Sequence, residues 1–345
     1  MKRYLGVDLH RQQFVVCTRQ ENGETSLREW RIEQLPQFVG QLQSEDEVAV
    51  EAMGTTARFY DAVVGKVARV VVVNPHQFQV ISASVSKTDR KDAAALALYL
   101  SKGLLPEARM KPKRHREVAH LTETRDLLVK QRSALKNKIN NLLAMQGVNL
   151  KREALSSKVA LERVLALEVS ALMKIELRVL VEQVRSLGGS IGELEELIEK
   201  AGEELPGYKN LTSIKGIGSL SATVLLTTIG AVNDFADENK LAAYVGLVPR
   251  VQNSSDTERS GRITKKGNKL ARTALVQCGL VAKRYSPYLN QFYNRIKERR
   301  GHGKAKIALA RKMVKIVYDT LKNNWVFEDF PSFTLAAQPS PTIIE

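Results

Sequence analysis

Only two cysteines, Cys17 and Cys278, occur in 345 residues, too few for a disulfide framework or a thiolate metal site. Histidine is almost as scarce. His10, His76, His115, His120 and His302 are scattered without zinc-ligand spacing. No apolar run is long enough to span a bilayer, and the N-terminal "MKRYLGVDLHRQQF" lacks the apolar segment of a secretory signal. These absences predict a chain of the reducing cytoplasm with no membrane partner. A further deficit is local. Between residues 259 and 322 only two acids, Glu298 and Asp319, stand among eighteen Lys and Arg. That window nets +16, which is the formal charge of the whole chain, so the remainder sums to zero. Such segregation predicts a polyanion-binding surface. No aromatic-rich amphipathic helix accompanies the charge, which favours nucleic acid over lipid.

What is present falls into three blocks. Residues 1–105 read as α/β: "KRYLGVDLH", "QQFVVCTRQ", "LREWRI", "EVAVEA" and "ARVVVVNP" are strands. The last is apolar throughout, as in a strand covered on both faces. "QLPQFVGQLQ" and "TTARFYDAVVGK" read as helices, and "TDRKDAAALALYL" as a third. From 106 to 204 the pattern is helical. Val118, Leu121, Leu128, Leu135, Ile139 and Leu142 follow heptad spacing, with Arg125 and Arg132 in the seam. Met173, Leu177, Leu180, Val184, Leu187, Ile191, Leu194 and Ile198 alternate steps of four and three, the pattern of a coiled coil. Gly188 and Gly189 interrupt it, each weakening a helix by about 1 kcal/mol. Two antiparallel helices within one chain would give the same pattern; pairing between chains is the expectation adopted. Residues 205–325 form a mainly helical unit with a polar loop, "RVQNSSDTERSGRITKKGN", and 326–345 are expected to be a flexible tail.

Carboxylates mark the first block. Asp8 and Glu51 lie at the ends of two apolar strands, and neighbouring strands are only about 5 Å apart. Strand ends open into the crevice where α/β sheets place their sites. Asp89 and Asp92, three apart, share one face at the mouth of an alanine-rich helix. Taken alone, that pair has an ordinary explanation: first-turn acids suit the helix dipole, with Thr88 or Ser86 as the N-cap. Taken with Asp8 and Glu51, it predicts an all-oxygen site for Mg²⁺ or Mn²⁺, able to hold two ions roughly 4 Å apart for phosphodiester chemistry. In the third block, "IKGIGSLSA" has the h-x-G-h-G pattern of a helix-hairpin-helix turn. Gly216 and Gly218 would there let backbone N–H groups approach a phosphate, although such glycines also serve purely structural turns.

In combination, "YLGVDLH", "VAVEAMGTT", "VVVVNPHQ", "SKTDRKDAAALA", "SIKGIGSLSA" and "AAYVGLVPRVQNSS…GRITKKGN" resemble the DEDD transposases of bacterial insertion sequences, the one-hundred-and-ten family related to the Piv invertase. The resemblance runs in order over nearly the whole chain. It implies an RNase H-like, RuvC-like domain, a coiled-coil arm and a C-terminal transposase domain. It places the family's four acids on Asp8, Glu51, Asp89 and Asp92. It also implies a nucleophilic serine, which falls on Ser254, five residues past Pro249. Ser255 stands where the family has glycine and is the alternative nucleophile. A structured bridge RNA that guides the choice of donor and target DNA is a further implication.

A serine hydroxyl attacks phosphorus only when its proton is withdrawn. No histidine is near Ser254 in the sequence, so the metal–carboxylate cluster is the expected activator. Arg259, Arg262, Lys265, Lys266, Lys269 and Arg272 are the expected phosphate-holding cations. The overall expectation is a recombinase acting on double-stranded DNA, nucleoid-associated, as a homo-dimer or homo-tetramer. Its alternatives are a Piv-like invertase, a junction nuclease using acids and water alone, and a non-catalytic architectural protein.

Overall fold

The computed structural model describes residues 2–75, 77–78, 88–148, 155, 157–254 and 257–335; at 251–254, 257–260 and 262 it describes the backbone alone. The chain divides into two compact units, Met1–Met110 and Lys111–Glu345.

The first unit is built on a five-stranded sheet of β1 (Arg3–Leu9), β2 (Gln13–Gln20), β3 (Thr25–Arg31), β4 (Glu47–Glu51) and β5 (Arg69–Val73), in the order β3-β2-β1-β4-β5. β1 pairs antiparallel with β2 and β2 with β3, whereas β4 runs parallel to both β1 and β5. Alternation along each strand sorts side chains to two faces. Leu5, Val7, Leu9, Phe14, Val16, Val48, Val50 and Val72 pack on one face with Leu35 and Phe38 of α1 (Leu35–Val39) and Phe59 and Val63 of α2 (Thr56–Val63). Phe14 anchors that layer, edge-on to Phe38 at 5.3 Å and to Phe59 at 5.8 Å. Outside it, fully buried Asp46 takes both ends of the Arg3 guanidinium at 2.8 and 2.6 Å.

The opposite face carries α3 (Asp89–Ser101), with Ala93, Leu96, Ala97 and Leu100 buried against it. Its alanines have a steric purpose. A Cβ on Gly6 would stand 2.1 Å from the Ala93 carbonyl oxygen and 2.3 Å from the Ala97 nitrogen. The helix backbone therefore rests directly on β1, and only glycine opposite alanine permits that approach. Thr88 is the N-cap, its hydroxyl accepting from the Lys91 N–H at 3.3 Å; the other capping candidate, Ser86, lies outside the described residues.

The second unit corrects three expectations. First, α4 (Lys113–Met145) and α6 (Ala171–Glu203), joined through α5 (Lys158–Leu165), pair with each other inside the chain. Arg114–Glu204, Arg125–Glu195 and Lys138–Glu176 ion pairs run in opposite sequence directions, so the pair is antiparallel. Met173, Leu177, Val184, Ile191 and Ile198 are buried. Pairing between chains was the expectation, but a heptad stripe states only that an apolar face needs a partner, and the nearest one is in the same chain. Arg125, placed in the seam by its spacing, bonds Glu195 at 2.9 Å across the helix pair. Gly188 and Gly189 do not break α6; it continues through both.

Second, the presumed loop after Pro249 is a hairpin of β6 (Pro249–Ser254) and β7 (Thr257–Ile263), with Ser254 opposite Thr257. A two-stranded ribbon satisfies its backbone groups across the pair and needs no apolar face, so no hydrophobic period announces it. Third, the expected flexible tail is docked in its first part. Phe330 is 1% exposed, with Phe327 edge-on to it at 5.3 Å and Phe333 stacked on it at 6.0 Å. Aromatic burial of this kind outweighs the entropy of a free terminus. Residues 336–345 lie outside the described residues.

The core of this unit surrounds α8 (Ser219–Ile229), which follows the short α7 (Tyr208–Thr212). Every residue of α8 from Ala222 to Ile229 is buried. Its threonines fit because their hydroxyls bond back into the helix: Thr223 to Ser219 at 2.9 Å, Thr227 to Thr223 and Thr228 to Val224 at 2.8 Å. Around it pack α9 (Glu238–Tyr244), α10 (Lys269–Tyr285) and α11 (Pro287–Lys322), the last kinked at Gly301.

Candidate active site

Three side chains converge at the carboxyl end of β1. Asp8 shares the α3 face with Gly6, so its carboxylate sits under the first turn of α3. His10, two residues on, is fixed by its backbone N–H donating to the Gln13 carbonyl at 2.8 Å. Its Nε2 lies 3.3 Å from Asp8 Oδ2 and 3.4 Å from Asp89 Oδ2. One ligand atom from each of the three falls within 4.8 Å of the others. The Asp8 side chain is 10% exposed, whereas His10 and Asp89 are about half open to solvent at 46% and 45%. The group is thus a closed floor with an accessible rim.

The electrostatics follow from that placement. Burial pushes the Asp8 carboxyl above its usual range, and the charges of Asp89 and Asp92 push it in the same direction; His10 opposes them. Two carboxylates and an imidazole with this spacing suit a divalent cation, whose charge would offset both the burial of the Asp8 carboxylate and its repulsion by Asp89 and Asp92.

Not every acid expected at the site joins this group. Asp92 is buried on α3, close enough to act on Asp8 electrostatically but outside the three-ligand set. Glu51 is half-buried at the end of β4. Register places Val7 beside Val50, so Glu51 follows as the neighbour of Asp8 on the same face, also outside the set. Thr56 holds the turn after Glu51, donating its hydroxyl to the Glu51 carbonyl at 2.7 Å. His10 is the residue that sequence reasoning missed. The signal was the spacing "DLH", which puts residues two apart on one side of an extended chain.

The expected nucleic-acid residues divide by role. Gly216 has a left-handed backbone (φ 106°), and a Cβ there would be 2.6 Å from the Ala282 nitrogen and 2.9 Å from the Cys278 carbonyl. It is a packing glycine pressed against α10, which favours the structural alternative for this position. Gly218 instead caps α8 with open space around it. Arg272 is turned into the protein: its Nη1 donates to the Val245 carbonyl at 2.9 Å and meets those of Lys266 and Gly267 at 3.4 and 3.3 Å. Lys265, Lys266 and Lys269 are exposed, and Lys265, Lys269, Arg272 and Lys306 line one cleft. Further cations of the basic window are committed internally, Lys315 to Glu238 and Asp319 at 3.3 Å and Arg311 to Asn239 at 2.8 Å. Arg259 and Arg262 are on β7 and Ser254 ends β6, with backbone alone described; Ser255 lies outside the described residues. No helix among the described residues is long and apolar enough to cross a membrane.

Comparison with known proteins matches both units. A DEDD transposase family model covers residues 5–146, and a model described as Transposase IS116/IS110/IS902 family covers 208–294. The chain is 29% identical to the transposase for insertion sequence element IS1111A of Coxiella burnetii, over 92% of this chain and 89% of that one. It is 26% identical to the transposase for IS1328 of Yersinia enterocolitica, over 94% and 98%. It is also 26% identical to a pilin gene-inverting protein of Moraxella bovis, over 95% and 98%. With both models matched in order and relatives aligned along almost the full length, the chain belongs to the IS110 family of transposases, enzymes that cleave and rejoin DNA.

Proposed function

We propose that this transposase breaks and rejoins DNA with a divalent metal held by Asp8, Asp89, Asp92 and Glu51, and with Ser254 as the attacking hydroxyl. The DEDD family implies a divalent metal, and the convergence of Asp8, His10 and Asp89 is the observation that carries the reading. The sheet order β3-β2-β1-β4-β5 supports an RNase H-like, RuvC-like domain at 1–105. Residues 106–204 are then the helical coiled-coil arm and 205–325 the transposase domain.

When bound, Mg²⁺ or Mn²⁺ supplies charge neutralisation for phosphodiester chemistry. The chain's own residues do the rest. Ser254 loses its proton as its Oγ bonds to phosphorus; the bond from phosphorus to a deoxyribose oxygen breaks, and that oxygen takes up a proton. The covalent phosphoserine keeps the bond energy, so a hydroxyl from another strand can reverse the step and reseal the DNA. Lys265, Lys266 and Lys269, with Arg259 and Arg262, hold the backbone without reading bases. Exchange at two sites needs two active chains, hence a homo-dimer or homo-tetramer, and a structured guide RNA is the partner that selects DNA. Similarity to a pilin gene-inverting protein supports inversion of a segment as a second outcome of the same chemistry.

The test is incubation of the full chain with labelled junction DNA and Mg²⁺, followed by denaturing electrophoresis. A protein–DNA adduct that Ser254→Ala removes and Ser255→Ala spares is the expected result. Nicked DNA without an adduct would leave an acids-and-water nuclease, and DNA bound but uncut would leave a binding protein.

A further inference from the structure

We propose that His10 is itself a metal ligand, and that it turns an oxygen-only centre into a mixed nitrogen–oxygen one with a preference for Mn²⁺ over Mg²⁺. The inference rests on the reading of Asp8 and Asp89 as metal-holding residues and goes beyond it.

The geometry is specific. Nε2 of His10 is nearly equidistant from the two carboxylate oxygens, 3.3 Å from Asp8 and 3.4 Å from Asp89. Those separations are what neighbouring donors around one cation require when each sits about 2.0–2.3 Å from it. The imidazole is on the open side of the group while Asp8 closes the floor, so an ion settling among the three would meet nitrogen as well as oxygen. Backbone position reinforces this: the N–H bond from His10 to Gln13 at 2.8 Å fixes the turn that carries the ring.

Donor chemistry then sets the preference. Mg²⁺ is small and hard, keeps its waters and favours oxygen, whereas imidazole binds first-row transition ions well. Asp92 and Glu51 offer oxygen alone, which does not distinguish the two ions. Removing the imidazole should therefore cost Mn²⁺ affinity far more than Mg²⁺ affinity.

A merely structural His10 would instead hydrogen-bond the two acids in the metal-free protein and give way when an ion arrives. Electron spin echo spectroscopy of Mn²⁺ added to the full chain distinguishes the two. Ligation predicts ¹⁴N modulation in the wild type, replaced by the ¹⁵N pattern on ¹⁵N-histidine labelling and lost in His10→Ala. Titration should also show at least a tenfold loss of Mn²⁺ affinity in that variant, with Mg²⁺ changed by less than about threefold. His10 is half-exposed, so the variant keeps its core, and isotope labelling needs no substitution at all. Mn²⁺ bound with no nitrogen coupling, yet lost in Asp8→Asn, would overturn the role of His10 while leaving the carboxylate site standing. Mn²⁺ that fails to bind, or binds equally well in Asp8→Asn, would overturn both.

Discussion

Asp8→Asn should make the metal-free protein more stable while taking away its response to metal. Asp8 is buried beside Asp89, with one carboxylate oxygen of each within 4.8 Å of the other. Two charges at that separation repel by about 1 kcal/mol in water and by about 3 kcal/mol at an effective dielectric of 20. Because the Asp89 side chain is 45% exposed, the lower part of that range applies, about 1–2 kcal/mol. The sign with pH follows from the raised Asp8 carboxyl. Between its ordinary value near 3.8 and the raised native one, the folded state holds the proton more tightly than the unfolded state. Stability therefore falls as pH rises through that window, and the penalty stays constant above it. Asparagine removes the charge and keeps the shape. Calorimetry of the full chain in chelator at neutral pH should show a higher transition for the N-terminal unit, by roughly 4–8 °C per kcal/mol. The gap should close near pH 4 and below. Saturating Mn²⁺ should reverse the order, since an ion at a hundred times its dissociation constant stabilises the wild type by about 2.7 kcal/mol and the variant hardly at all. A variant less stable than wild type without metal, or equally stabilised by it, would refute the reasoning.

Other tests separate structural from binding roles. Lys265→Ala combined with Lys269→Ala should lower the slope of DNA affinity against salt by about 2, since each phosphate contact contributes about 0.9. Arg272→Ala should instead show first as a loss of about 1–3 kcal/mol in thermal stability, because its guanidinium serves backbone carbonyls. Gly216→Ala forces a Cβ to 2.6 Å from the Ala282 nitrogen and should cost about 2–3 kcal/mol in denaturant unfolding. Gly218→Ala, with open space around it, should cost less than about 1 kcal/mol and weaken DNA binding by gel shift. Arg3→Ala leaves the fully buried Asp46 without its bidentate partner and should destabilise the N-terminal unit by about 3 kcal/mol.

Much of the first unit was legible because its signals are local. Short apolar runs announce β1, β2, β4 and β5, and Thr88 before Asp89 announces the start of α3. Asp8 and Glu51 are legible as acids at strand ends, and β1 and β4 do pair in parallel, with Val7 beside Val50. His10 was legible only as a neighbour of Asp8, through the spacing "DLH". Its importance depends on the distance to Asp89, a residue 79 positions away in the numbering. The β6–β7 ribbon escaped detection for another reason: its bonding is carried by the backbone, which every polar sequence offers equally.

Sequence alone determined the strands and helices of the first unit and the long helices of the second, which acids stand at strand ends, where the positive charge is concentrated, and which transposases the chain resembles. Only the tertiary structure decided who meets whom. It gave the heptad stripe of α6 to α4 of the same chain, turned Arg272, Arg311 and Lys315 inward and away from a pure charge count, and set an imidazole between two carboxylates. A periodic or charged pattern fixes what kind of partner a side chain needs, whereas the identity of that partner depends on chain segments far apart in sequence brought together by burial of the core.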